Sequence, residues 1–189
     1  MPKNQTLDEF YSTFREEVLC SSDTETSGWT TEDFLTNVMM EYLEEAGEVT
    51  NPVICPFRGY GLQMNAYAIS EDCESVDIFV SIYSDSDRPR SVSQADIDAA
   101  IKRAIQLYHK AINDLYTAFQ KDNDTYEFAI TLHQNKDNIK HVRICALTNG
   151  LVKQLKLILK KSFKPPFPAS KTIPAKSIAF IWLSSTAIC

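Results

Sequence analysis

The sequence predicts an α/β domain built on a mixed sheet flanked by helices. Three observations carry this. Two apolar, strand-like runs, Leu62–Ile69 and Val76–Tyr83, sit on either side of the polar segment 70–75. A long helical pattern follows them. A third run rich in Val and Ile, Ile139–Thr148, then reads as a buried strand. Strand, strand, long helix, strand is the order expected when the last strand is reached through a helical crossover.

The elements can be justified in turn. Leu7, Phe10, Phe14 and Val18 recur at three- and four-residue steps, so Leu7–Leu19 reads as an amphipathic helix. The polar segment 20–28 is a linker. Thr30 or Thr31 then caps a second helix whose first turn carries Glu32 and Asp33, where carboxylates favour the helix dipole. Phe34, Leu35, Val38, Met39, Tyr42 and Leu43 form its apolar stripe, and Gly47 stops it. Pro52 and Pro56 predict an irregular segment over 51–58. Ser93 caps the long helix, whose apolar period runs from Ile97 to Phe119. A short helix is expected over 126–132, and Asn149-Gly150 marks a turn.

The chain has 189 residues, 44% hydrophobic and 23% charged, enough for one domain with a core. Its five cysteines are widely spaced and lack a CxxC pair, which argues against a zinc ribbon or a disulfide framework and for a reducing cytoplasm. The first 17 residues are polar, unlike a secretory signal, and no run approaches the roughly 18 apolar residues of a membrane span.

The net charge of −6 conceals a segregation. Residues 1–138 hold all 25 acidic residues against ten basic ones, a balance of −15, whereas residues 139–189 hold nine basic residues and no acidic one. Two units follow: a domain over 1–150 and a basic tail over 151–189. The tail opens with a basic amphipathic helical pattern, then carries Pro165, Pro166, Pro168 and Pro174. It reads either as a contact for nucleic acid or an anionic surface, or as the product of a truncated or frameshifted gene.

Five stretches resemble, in order and spacing, the N-terminal region of AIPR-family proteins, the bacterial abortive-infection phage-resistance proteins. They are LDEFYSTFREEVL, FLTNVMMEYLEEAGEV, FRGYGLQMNAYAISEDCESVDIFVSIYSD, VSQADIDAAIKRAIQLYHKAI and IKHVRICALTNG. The resemblance covers about residues 7–150. It implies a restriction-endonuclease-like fold of the PD-(D/E)xK kind and a role in defence against phage. It also implies a longer protein, with a C-terminal effector domain as a missing partner.

Nuclease chemistry of that kind needs an acid on one strand, an acid-x-Lys triplet on the next, and Mg²⁺ between them. Against the family pattern, Asn65 stands where the strand Asp is expected, and Val80-Ser81-Ile82 stand where the triplet is expected. The sequence therefore describes a degenerate site, inactive as a nuclease, with no cofactor. If catalysis survived, Asp77 and Glu41 would be its candidate catalytic residues, and Asp77 and Asn65 its metal ligands. Each has a plainer reading, Asp77 as an outward strand residue and Glu41 on the wet face of a helix. Arg58, Arg88, Arg90, Lys102 and Arg103 form a candidate basic rim for nucleic acid. A protein partner, favoured by the acidic body, is the remaining reading.

Overall fold

The computed structural model describes residues 6–22, 28–121, 123–152 and 180–184. Helices α1 (Leu7–Ser22) and α2 (Thr31–Glu45) come first, followed by strands β1 (Val53–Gly59), β2 (Leu62–Ile69) and β3 (Ser75–Ile82). Helix α3 (Gln94–Ala111), a 3-10 turn at Leu115–Ala118 and helix α4 (Asp124–Asn135) lead to β4 (His141–Thr148). Strand β5 (Phe180–Ser184) lies beside β4, so part of the segment read as a tail adds to the sheet. The amphipathic and proline-bearing patterns over 153–179 lie outside the described residues. The sheet order is β1-β2-β3-β4-β5, with antiparallel pairs up to β3 and parallel pairs beyond it. The fold is therefore α/β with a mixed sheet, as expected.

Helices cover both faces. On one, Ala100, Ala104 and Leu107 of α3 and Phe128 of α4 bury Val76, Ile78 and Val80 of β3 and Ile144 of β4. On the other, Phe14 of α1 and Leu35, Val38 and Met39 of α2 bury Phe79, Cys145 and Leu147. Alternate residues of β3 serve opposite layers, as the two-residue period of a strand requires. Strands covered on both sides read as nearly continuous apolar runs, which is why the third strand was legible. Among the described residues, no helix is long and apolar enough to cross a membrane.

The helix ends follow local chemistry. Thr30 precedes α2, and the Asp33 carboxylate accepts from the Thr30 backbone N–H at 2.8 Å and from its hydroxyl at 2.7 Å. Gly47, at φ +73°, closes the helix: its N–H reaches Glu44 O, and the Glu48 N–H reaches Leu43 O. Ser93 caps α3 by accepting from the Asp96 N–H at 3.1 Å.

Two expectations needed correction. The segment over 51–58 is not irregular but an edge strand. Ile54 faces Ala66 and Phe57 faces Met64, so β1 carries one extra residue there, a bulge at Cys55-Pro56. A bulged edge strand tolerates proline because the missing N–H is not needed in the ladder. The long helix also ends earlier than its apolar period, at Ala111. The Asn113 side chain donates to His109 O at 2.7 Å, competing with continued helix, yet Tyr116 and Phe119 still pack on the same layer from the 3-10 turn.

Phe79 is 1% exposed, between the sheet and α2. Phe79→Ala is expected to lower unfolding free energy by about 3–5 kcal/mol, read as a shift in urea midpoint without a change in slope.

Candidate functional site

Strands β2 and β3 form a ladder only from Ala66 opposite Phe79 to Ile69 opposite Val76. Beyond it the two strands part, and side chains fill the fork. The Ser81 N–H donates to Asn65 Oδ1 at 2.9 Å, and Gln63 Nε2 donates to Ser81 O at 3.2 Å. Two side-chain amides thus stand in for the backbone partners that β2 has withdrawn. The bulge in β1 falls at the same level, between the residues facing Ala66 and Met64. Bulges re-aim side chains in this way. Here one puts amides two residues apart into the fork.

The first turn of α2 roofs the fork. Asn65 Nδ2 lies 3.2 Å from Glu32 Oε1 and 3.4 Å from Asp33 Oδ1. Thr36 and Ser81 share a hydroxyl–hydroxyl bond of 2.7 Å, and the Thr36 hydroxyl also reaches Glu32 O. Arg58 contacts Glu32 Oε1 at 3.1 Å, and Arg103 Nε donates to Gln63 Oε1 at 2.9 Å. Thr36, Gln63, Asn65 and Ser81 are all at most 4% exposed, and their hydrogen bonds offset that burial. Outside them opens a cleft of about 460 Å³ lined by Thr31, Glu32, Arg58, Gln63, Asn65 and Tyr83, among others. Burial, reinforced by nearby Asp85, raises the Tyr83 phenol above its ordinary pKa, so it stays protonated at neutral pH.

These donors do not fit Mg²⁺. That ion wants near-octahedral oxygen ligands, usually with one or two carboxylates. Glu32 Oε1 already faces Arg58, Gln63 and Asn65. Asp33 Oδ2 is held by Thr30, and Asn65 Oδ1 by the Ser81 N–H. A guanidinium thus occupies the approach a cation would need. Among the described residues, no three His, Cys, Asp or Glu side chains converge as a metal cluster.

Of the candidate residues, Asn65 lies in the fork. Asp77 lies elsewhere. It faces Ala68, three residues past Asn65 along β2, about 10 Å at the rise of a strand. It forms a two-pronged ion pair with its cross-strand partner Arg143, with Nε 2.9 Å from Oδ1. The same guanidinium donates to Glu48 O at 2.9 Å, and the carboxylate keeps Arg143 firmly protonated. Glu41 is exposed and accepts from Asn37 at 2.7 Å. The structure therefore does not bring Asp77 together with Glu41 or Asn65. Of the basic rim, Arg58 and Arg103 line a second cleft of about 230 Å³. Lys102 is exposed beside Arg103 on α3, while Arg88 and Arg90 are exposed in the segment after β3.

Glu32 and Gln63 were missed as site residues, and Ser81 was read only as a place where the triplet's charge is lacking. One signal was present, because Gln63 and Asn65 are amides two residues apart in an otherwise apolar strand. Cys55 is no nucleophile, since burial pushes its thiol up to about 11.

The fold and fork define a mixed α/β domain with a polar, hydrogen-bonded cleft where two strands diverge. The family model for the abortive infection phage resistance protein N-terminal domain matches residues 35–166, and the chain belongs to that family. No curated protein and no solved structure matches it significantly.

Two outcomes are expected. Asn65→Leu leaves the buried Ser81 N–H unpaired and should cost roughly 1–3 kcal/mol in chemical denaturation. With the thiolate of Cys55 forming only as pH nears 11, iodoacetamide at pH 8 should label exposed Cys20 in the folded protein and reach Cys55 only after denaturant is added, as mass spectrometry of peptides would show.

Proposed function

We propose that this chain is the nuclease-derived module of a bacterial, cytoplasmic phage-defence protein, and that it binds nucleic acid without cutting it. Family membership supports the defence role. The architecture supports the derivation: the antiparallel pair, the helical crossover and the parallel third strand make the helix-flanked mixed sheet that the resemblance implied. The observation that carries the loss of catalysis is the fork. Asn65 meets Ser81 there through a neutral hydrogen bond, and Val80-Ser81-Ile82 hold neither an acid nor a lysine, where the chemistry would need acid, acid and lysine. Arg58 and Arg103 supply cations beside it, able to pair with phosphate. Cutting or killing would fall to another domain or a protein partner.

A plasmid-nicking assay across Mg²⁺, Mn²⁺ and Ca²⁺, paired with calorimetry for metal binding, tests the silence of the site. Neither nicks nor metal heats are expected, whereas binding to DNA or RNA that weakens steeply with salt is. Nicking that disappears in Glu32→Gln, or in Asp77→Ala and Glu41→Ala, would replace this reading with an active nuclease. No nucleic-acid binding even at low salt would leave a protein-interaction domain instead.

A further inference from the structure

We infer that the tip of the β1–β2 hairpin, Tyr60 together with Arg58 and Arg103, is a contact site for single-stranded nucleic acid, an inference that rests on the nucleic-acid reading above. Two independent observations point there. The hairpin turns through just Tyr60 and Gly61, at φ +54° and +75°. Both angles belong to the tight turn that favours Asn-Gly or Gly-Gly, so a tyrosine is strained in the first position. The residue is also 90% exposed. In the free protein neither its backbone nor its ring explains its presence. An aromatic ring held clear of the surface on a short, rigid turn is suited to stacking on a flat partner.

The second observation is a cleft lined by the residues on either side of Tyr60. About 230 Å³ in volume, it is lined by Arg58, Gly59, Gly61 and Leu62, which flank Tyr60 along the hairpin, and by Arg103. The two glycines leave the backbone open to close approach. Arg103 is anchored by its Nε to Gln63, which leaves its two terminal nitrogens without a hydrogen-bond partner among the described residues. Arg58 is 62% exposed and uses one nitrogen on Glu32. Paired guanidiniums suit the oxygens of a phosphate. A cation pair for the phosphate and a ring for the base is the combination that holds an unpaired nucleotide. A duplex keeps its base faces inside its own stack and so offers the ring nothing.

Fluorescence anisotropy with labelled 20-nucleotide oligo(dT) and oligo(U), and with a duplex of the same length, tests this on the full chain. Single strands are expected to bind tighter than the duplex; the tighter of the two single strands identifies DNA or RNA as the source. Tyr60→Ala should weaken single-strand binding by roughly 5- to 150-fold, and Tyr60→Phe should restore it. Arg103→Ala should flatten the salt dependence by about 0.7 in log–log slope for each phosphate that the guanidinium no longer neutralises. Lys140→Ala, at the far end of the sheet, controls for loss of charge alone and should change neither. Thermal melting of each variant shows that it is folded. Single-strand binding that is unmoved by Tyr60→Ala and Arg103→Ala would overturn this site while leaving the nucleic-acid reading intact. No binding by the native chain would overturn both.

Discussion

The molecule depends on how one buried backbone amide is satisfied. At Ser81 the neighbouring strand has moved away, and Asn65 Oδ1 takes the N–H instead. A buried amide without a partner is costly, so the divergence of β2 from β3 is possible only because an amide side chain spans it. The bulge in β1, the presence of Gln63 beside Asn65 and the placing of Glu32 and Thr36 above them all serve the same opening. A carboxylate at position 65 could accept the same bond, but it would put a third negative group beside Glu32 and Asp33 and would lose the Nδ2 donor that now faces them. The fork is thus internally consistent as a neutral structure. Its residues complement one another rather than an absent ion.

Charge follows the same logic elsewhere. Where acids are buried or half-buried, each has a designated partner: Asp33 with Thr30, and Asp77 with Arg143. Exposed carboxylates crowd the end of α2 and the turn after it, at Glu41, Glu44, Glu45 and Glu48, where water solvates them. Asp77 shows how a chemically suggestive acid can be structural. By joining β3, β4 and the carbonyl that follows α2, its ion pair ties three elements at one point.

Much of the architecture was legible because burial and period agree. The pattern from Leu62 to Tyr83 marks a strand pair, and Ile139–Thr148 marks a strand, because both are covered on two faces. Thr30, Gly47 and Ser93 act as the helix boundaries their chemistry suggests. Strand β1 was hidden because proline argues against a central strand and is silent about a bulged edge. The end of α3 was hidden because Tyr116 and Phe119 keep an apolar rhythm after the helix has stopped. The site was the least legible part. Asn65 could be placed by its strand, but which acids roof it depends on how α2 crosses the sheet. That crossing brings Glu32 over the fork and leaves Glu41 in water, a distinction that one-dimensional spacing does not contain.

The parallel pairing of β3 with β4 has a consequence for how the protein is made. Every facing pair of that ladder lies 66 positions apart, from Ser75 with His141 to Ile82 with Thr148. At ordinary elongation rates, about 3–13 s separate the synthesis of the two strands. Through that interval the run from Val76 to Val80, which ends buried on both faces, has only β2 beside it in the sheet. Such an open, apolar edge is a template for pairing with other chains. The turn before it, with Glu71, Asp72 and Glu74, sets carboxylates beside that edge, a charge that opposes such pairing until β4 arrives.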